Sequence, residues 1–314
     1  MRVIATVEEL RTALSVTARA VSVAAREAVP AAARDAAPAA AREGRRGTGL
    51  VPTMGYLHDG HTSLVRRARQ DCDLLVVSLF VNPTQFGPGE DFASYPRDLP
   101  RDLELLEREG VDVAFAPPPD GLYPPGADTV VRPGRVAEPL EGAHRPGHFE
   151  GVATVVTMLL SAVQPRVAYF GEKDWQQLQV VRRVVRDLLL PVEVVGLPVV
   201  READGLALSS RNVRLSTEDR RHALCVPRAI EAAREAFAAG ESDPAVLERA
   251  MARALAREPA VETDYAVVAD AETLQPQLRA TAASRALVAA RVGGVRLIDN
   301  APLAEASDTP APGR

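Results

Sequence analysis

The chain has 314 residues, 46% of them apolar and 25% charged, with a formal net charge of −5. That length allows one large domain or two ordinary ones, and the acidic balance excludes a domain-wide basic surface for nucleic acid. Cysteine occurs twice, too rarely for a disulfide framework, so a reducing cytoplasmic compartment is expected; acids come too early for a secretory signal, and no apolar run is long enough to span a membrane.

Residues 17–46 are mostly alanine and arginine, and Pro30 and Pro38 interrupt any continuous helix. With so few large apolar side chains, the segment reads as a mobile surface insertion. Regular structure is expected after it. Gly49-Leu50-Val51 is a short strand entry, Pro52 to His61 holds a glycine-containing turn and two histidines, and Leu64 to Arg69 reads as a helix. Leu74 to Val81 is an unbroken apolar run, as for a strand covered on both faces. Asp98 to Glu109 is expected to be helical, Val111 to Ala116 a short strand, and Gly151 to Val163 an apolar helix closed near Pro165. Arg166 to Phe170 reads as a strand, Trp175 to Leu189 as a helix, and Val192 to Val200 contains a further strand. Strands alternating with helices predict an α/β domain over 1–198, built on a doubly wound parallel sheet with its sites at the carboxyl ends of strands.

From about Arg201 the character changes. Helices are expected over Thr217–Ala239 and Pro244–Arg257, and a strand over Tyr265–Ala269. Ala286–Val292 and Val295–Ile298 flank Gly293-Gly294, a two-residue hairpin signal. A smaller α+β domain is therefore expected over 199–303, with a frayed polar tail over 304–314.

The segment richest in chemistry is Pro52 to His61. A helix N-terminus presents unpaired N–H groups and partial positive charge, and histidines three apart lie near one face, so His58 and His61 can reach one anion. Gly60 between them leaves room for a ligand. The plainer readings are a surface histidine pair or half a metal site. His-Glu-Xaa-Xaa-His is absent, His144, His148 and His222 are the remaining histidines, and Cys72 and Cys225 are far apart, which disfavours zinc. Between a strand and a helix, His-Xaa-Gly-His marks nucleotidyl transfer.

Further motifs follow strand ends. Asn82-Pro83-Thr84-Gln85 offers two amides for hydroxyl or carboxylate groups, although turn propensity alone would account for Asn and Pro there. Gly171-Glu172-Lys173-Asp174 carries the chain's single lysine, which suits a point charge beside phosphates better than the plainer reading as a solvated side chain. Ser209-Ser210-Arg211-Asn212 has the hydroxyls and guanidinium of a triphosphate-clasping loop, though alone it would also suit an exposed loop, with Glu202 and Asp204 solvated nearby.

Taken in order, Pro52 to His61, Phe80 to Phe86, Tyr95-Pro96-Arg97, His148-Phe149-Glu150-Gly151-Val152, Gly171 to Asp174 and Ser209 to Asn212 closely resemble the pantoate–β-alanine ligase family over roughly residues 47–300. The resemblance implies a Rossmann-like domain, a C-terminal lid domain, a homodimer, and Mg²⁺ with ATP as cosubstrate. It implies ligation of pantoate and β-alanine through a pantoyl adenylate, releasing AMP and pyrophosphate. Carried onto this chain, it assigns His58, His61, Lys173, Ser209, Ser210 and Arg211 to the phosphates. Pro52, Thr53, Met54, Gly55, Gly171, Asp174, Val200 and Leu208 would line the nucleotide. Gln85, Gln177, Asn82 and Tyr95 would hold pantoate, and Asp102 would contribute to the metal environment. The alternatives are a cytidylyl- or adenylyltransferase of the same superfamily, or a noncatalytic nucleotide-binding module. Departures from the family pattern are the Ala/Arg-rich insertion, Tyr56 at a usually small position, and Met158 where lysine is frequent.

Overall fold

The computed structural model describes residues 1–16 and 47–304. The expected insertion over 17–46 and the tail from 305 onward lie outside the described residues. In chain order the elements are β1 (Arg2–Ile4), α1 (residues 7–16), β2 (Thr48–Thr53), α2 (Asp59–Asp71), β3 (Leu74–Leu79), α3 (Leu99–Arg108), β4 (Val113–Phe115), α4 (Pro119–Leu122), α5 (Glu141–His144), α6 (His148–Val163), β5 (Val167–Gly171), α7 (Trp175–Asp187) and β6 (Glu193–Leu197). They continue with α8 (Thr217–Ala223), α9 (Cys225–Ala238), α10 (Pro244–Leu255), β7 (Val261–Asp270), β8 (Ser284–Val292) and β9 (Val295–Pro302).

The chain divides into two compact units. The first comprises Met1–Pro133, Arg145–Glu172 and Val180–Pro198; the second comprises Gly134–His144, Lys173–Gln179 and Val199–Arg314. The first unit ends at Pro198, and two short segments from the N-terminal half belong to the second unit. The reason is a set of polar ties. Gln176 Nε2 donates to the Val136 and Pro139 carbonyls at 3.0 and 2.7 Å, and Trp175 Nε1 donates to Ala271 O at 2.7 Å.

In the first unit the strands form one sheet in the order β1-β4-β3-β2-β5-β6, all parallel. From β2 the chain steps outward one way to β3 and β4, then the other way to β5 and β6. The direction reverses beside β2, and in such sheets ligands bind at the carboxyl ends there. Every residue of β3 is buried, as its apolar run requires for a strand covered on both faces. The core of this unit includes Val51, Leu57, Leu64, Val65, Leu75, Val77, Leu106 and Tyr169. The sequence pattern did not reveal β1 or α1. Three residues at a sheet edge are too few for a period-2 signal, yet Ile4 is buried and pairs with Phe115.

The second unit carries an antiparallel sheet in the order β7-β8-β9. Gly293 and Gly294 have φ of +55° and +76° and close the β8–β9 hairpin with Val292 opposite Val295, the turn that glycine pairs favour. The single helix expected over Thr217–Ala239 is two, α8 and α9, meeting at Leu224. Pro227 accounts for the break, because its ring cannot share a helix with the carbonyl of Ala223 four residues back. Strand β7 starts at Val261, earlier than expected, and its pairing slips between Thr263 and Tyr265. The bulged Asp264 accepts from Arg296 Nε at 2.7 Å. Arg296 also grips the buried Glu141 through both guanidinium ends at 2.6 and 2.7 Å, and Tyr265 donates to the same carboxylate at 2.8 Å. Replacing Arg296 with Ala strands Glu141 without its counter-charge, and urea unfolding is expected to show a loss of about 3–5 kcal/mol.

Candidate functional site

The first unit builds one half of the expected residues around the carboxyl ends of β2 and β3. Thr53, the last residue of β2, donates its hydroxyl to Ser78 O at 2.7 Å and accepts from Gly55 N at 3.2 Å. The chain then turns through Gly55 (φ +81°) and Tyr56 (φ +49°) before α2. A left-handed tyrosine costs about 1–2 kcal/mol, so something must hold it there. Asp102 does. Its buried carboxylate accepts Tyr56 N–H at 2.6 Å and Leu57 N–H at 2.7 Å. Burial pushes the Asp102 pKa up, opposed by those two amide bonds. Arg101 lies over the Tyr56 ring, 5.2 Å from its centroid.

The clamped turn delivers His58 to the N-cap of α2. His58 Nδ1 accepts from Gly60 N at 3.2 Å, while His61 Nδ1 accepts from His58 N at 3.3 Å. This is a reciprocal capping box made by two imidazoles, whose rings stand 4.1 Å apart between centroids. Because both Nδ1 atoms accept backbone N–H, each neutral ring carries its proton on Nε2. Two Nε2–H donors thus accompany the positive end of a helix, an arrangement suited to phosphate oxygens.

Beyond β3, the loop that begins at Asn82 is equally determined. Asn82 Oδ1 accepts from the hydroxyls of Tyr123 (2.9 Å) and Thr84 (3.0 Å), and its Nδ2 donates to Gly151 O (3.1 Å) and Gln85 Oε1 (3.2 Å). Burial raises the Tyr123 pKa, so the phenol stays a donor. With its oxygen occupied, Gln85 turns Nε2 toward the Met54 sulfur at 3.0 Å. Tyr95 is buried, its ring edge-on to Phe86 with centroids 5.9 Å apart. At the end of β5, a side chain added at Gly171 would meet nothing within 4 Å.

The other half of the expected residues belongs to the second unit. Lys173 follows β5 in the chain, and its carbonyl accepts from Asn300 Nδ2 of β9 at 2.9 Å. Asn300 is in turn bound by Arg285, whose guanidinium lies 3.4 Å from the centroid of the Trp175 ring. The Lys173 ammonium is 3.7 Å from the Asp174 carboxylate. Gln177 lies in the first turn of α7. Val200 O accepts from Leu208 N at 2.9 Å, closing a narrow hairpin that ends in Ser209, Ser210 and Arg211. Ser210 is buried, and Ser209 Oγ accepts from Arg211 N at 3.3 Å. Glu202 and Asp204, expected to be solvated, are instead both held by Arg220 at 2.6 and 2.8 Å, and Arg220 keeps the Asp204 carboxyl below its ordinary range.

Asp102, expected to contribute to the metal environment, is engaged at both oxygens by the turn before α2. Among the described residues no group of three or more His, Cys, Asp or Glu side chains could hold a metal ion. Also missed in the sequence were Tyr123 and Arg145. Tyr123 follows a run of prolines with no motif around it, and Arg145 resembles any surface arginine until Glu90 is seen beside it.

A doubly wound sheet with an imidazole-capped helix beside its switch point places the chain among the α/β proteins that handle anionic ligands at strand ends. Within that class the chain belongs to the pantoate–β-alanine ligase family, whose model matches residues 26–302. That match begins inside the segment read as an insertion. The chain is 56% identical over 253 residues to the pantothenate synthetase of Roseiflexus sp. strain RS-1, covering 81% of this chain and 91% of that one. It is 50% identical to the pantothenate synthetase of Thermus thermophilus, whose crystal structure superposes with a TM-score of 0.84 over 97% of this chain and 100% of that one. The pantoate–β-alanine ligase of Francisella tularensis, crystallised with β,γ-ATP and β-alanine, is 30% identical with a TM-score of 0.70 over 96% and 98% of the two chains.

Two outcomes are expected from this geometry. Asp102→Ala removes two charge-assisted bonds from a strained turn and should cost about 2–3 kcal/mol in thermal or urea unfolding. Burial alone would raise the Glu90 pKa, but the Arg145 contact at 2.6 Å outweighs it and holds the carboxyl below its ordinary 4.5. Between the folded value and 4.5 the unfolded chain binds more protons, so stability rises with pH across that window. The advantage of the wild type over Glu90→Gln is therefore complete above the ordinary glutamate range and shrinks as pH falls through the folded value. Unfolding curves collected across acid pH check this.

Proposed function

We propose that the protein joins pantoate to β-alanine with consumption of ATP, forming pantothenate, AMP and pyrophosphate. The observation that carries this reading is the reciprocal histidine cap on α2, directly after β2, in a chain of the pantoate–β-alanine ligase family. In the first step an oxygen of the pantoate carboxylate attacks the α-phosphorus of ATP and pyrophosphate leaves with the bridging oxygen. In the second, the β-alanine amine attacks the acyl carbon of the mixed anhydride. AMP leaves with the oxygen that joined acyl carbon and phosphorus, and the nitrogen loses its proton as the amide forms.

A carboxylate is ionised at neutral pH, so the first step needs no strong base. It needs alignment and neutralisation of charge gathering on the phosphates. In this reading the Nε2–H groups of His58 and His61, the Lys173 ammonium, the Ser209 and Ser210 hydroxyls and the Arg211 guanidinium supply that neutralisation. Pro52, Thr53, Met54, Gly55, Gly171, Asp174, Val200 and Leu208 line the nucleotide. Asn82, Gln85, Tyr95 and Gln177 hold the hydroxy acid. Mg²⁺ enters with ATP, and the working form is a homodimer. Among the described residues no helix is long and apolar enough to cross a membrane.

The deciding experiment supplies Mg²⁺-ATP and pantoate without β-alanine and follows exchange of labelled pyrophosphate into ATP. Pantoate-dependent exchange is expected, followed by AMP release once β-alanine is added. His61→Ala and Lys173→Ala should each lower exchange by about a hundredfold or more while leaving the circular dichroism spectrum unchanged. Wild-type exchange rates in either variant would contradict the roles assigned to those residues.

A further inference from the structure

The His148-Phe149-Glu150-Gly151-Val152 motif has no part in the chemistry above, yet its side chains and backbone bear directly on the loop carrying Asn82 and Gln85. Two close approaches define the contact. Asn82 Nδ2 donates to the Gly151 carbonyl at 3.1 Å, and a Cβ placed on Gly151 would fall onto the backbone of Thr84 and Gln85. The first turn of α6 is thus seated backbone against backbone on the loop, at a spacing only glycine allows.

His148 completes the seat. It is buried, and its Nδ1 lies 2.8 Å from the Gln85 carbonyl oxygen. A carbonyl can only accept, so Nδ1 carries the proton. Its Nε2 lies 3.2 Å from an Arg145 guanidinium nitrogen, which can only donate, so Nε2 is the acceptor. Both contacts require one and the same neutral tautomer. Arg145 is itself fixed by Glu90, with bonds of 2.8 and 2.6 Å to the two carboxylate oxygens. The order of donation is therefore Arg145 to Glu90, Arg145 to His148, and His148 to the main chain of Gln85. These groups lie within one compact unit, and the His148 bond falls on the Gln85 backbone and not on its side chain.

We propose that His148, oriented by the Arg145–Glu90 pair, is a positioning residue that sets the hydroxy-acid subsite by fixing the main chain of Gln85. This rests on the reading that Asn82 and Gln85 hold pantoate. A hydroxy acid recognised by side-chain amides needs them within a few tenths of an ångström of their proper positions, and a loop with few regular hydrogen bonds cannot achieve that alone. Because His58 and His61 lie on a different segment, the effect should fall on pantoate and spare ATP.

The test uses the full-length enzyme in pantoate-dependent pyrophosphate exchange, with KM measured separately for pantoate and ATP. His148→Ala is expected to raise KM for pantoate about tenfold with KM for ATP changed by less than about twofold, as suits the loss of one buried hydrogen bond. His148→Asn, whose amide nitrogen can occupy the place of Nδ1, should recover most of the loss. His148→Gln, which mimics the other ring nitrogen, should not. Should the alanine variant fail to fold, the asparagine–glutamine contrast decides the matter in the same way. Nitrogen-15 spectra of the wild type should show the His148 ring protonated at Nδ1. Parallel rises in both KM values, identical behaviour of Asn and Gln, or a ring protonated at Nε2 would overturn the proposal. An active wild type with unaltered His148 variants defeats this inference alone. A wild type without pantoate-dependent exchange defeats the activity reading, and this inference with it.

Discussion

The geometry of the first unit's site depends on one carboxylate. Asp102, projecting from the first turn of α3, takes two successive backbone N–H groups, those of Tyr56 and Leu57. Two consecutive residues with positive φ would otherwise leave the strand-to-helix turn free to relax. The carboxylate makes that turn the preferred one, and His58 enters α2 at the angle that allows both imidazoles to cap the helix. A surface loop would carry the same residues in sequence without the same relative placement. Here the strain in the turn is balanced by charge-assisted bonds made out of water, where they are strongest.

The loop after β3 follows a similar logic. Each polar atom of Asn82 has a partner, and the orientation of its amide follows from the Tyr123 and Thr84 hydroxyls on one side and the Gly151 carbonyl on the other. The consequence passes to Gln85, whose oxygen is occupied and whose nitrogen is therefore directed elsewhere. The two loops that flank the carboxyl edge of the sheet are thus each fixed by a distant helix, α3 for one and α6 for the other. Neither depends on its own residues alone for its shape.

What could be read in the sequence was what is local. Leu74 to Leu79 announces itself as a covered strand because all of its side chains are apolar or small, and Gly293-Gly294 announces its hairpin because few other residues accept two positive φ values. His58 and His61 are legible because the helix period brings them together. What could not be read depended on partners far along the chain. Asp102 reaches amides 45 and 46 residues away, and nothing in its neighbourhood distinguishes it from other acids in a helix's first turn. The break between α8 and α9 was present in the sequence as Pro227, which lies inside the span expected as one helix, where a proline ring excludes the carbonyl four residues back. The allegiance of Lys173 to the second unit follows from Asn300 and Trp175, contacts that no local pattern encodes.

The imidazole cap makes one ring answer to two demands. Its inner nitrogen accepts a main-chain N–H at the start of the helix, and its outer nitrogen carries the hydrogen that the proposed phosphate contact calls for. Serine or aspartate would start the helix as well, but neither carries an outward donor on the far side of a rigid plane. Proton exchange between the two nitrogens would fail both duties at once, since the inner position would then oppose an N–H and the outer would repel a phosphate oxygen. The fold therefore selects one tautomer before any ligand arrives, and the start of a helix becomes the device that presets the hydrogen's address.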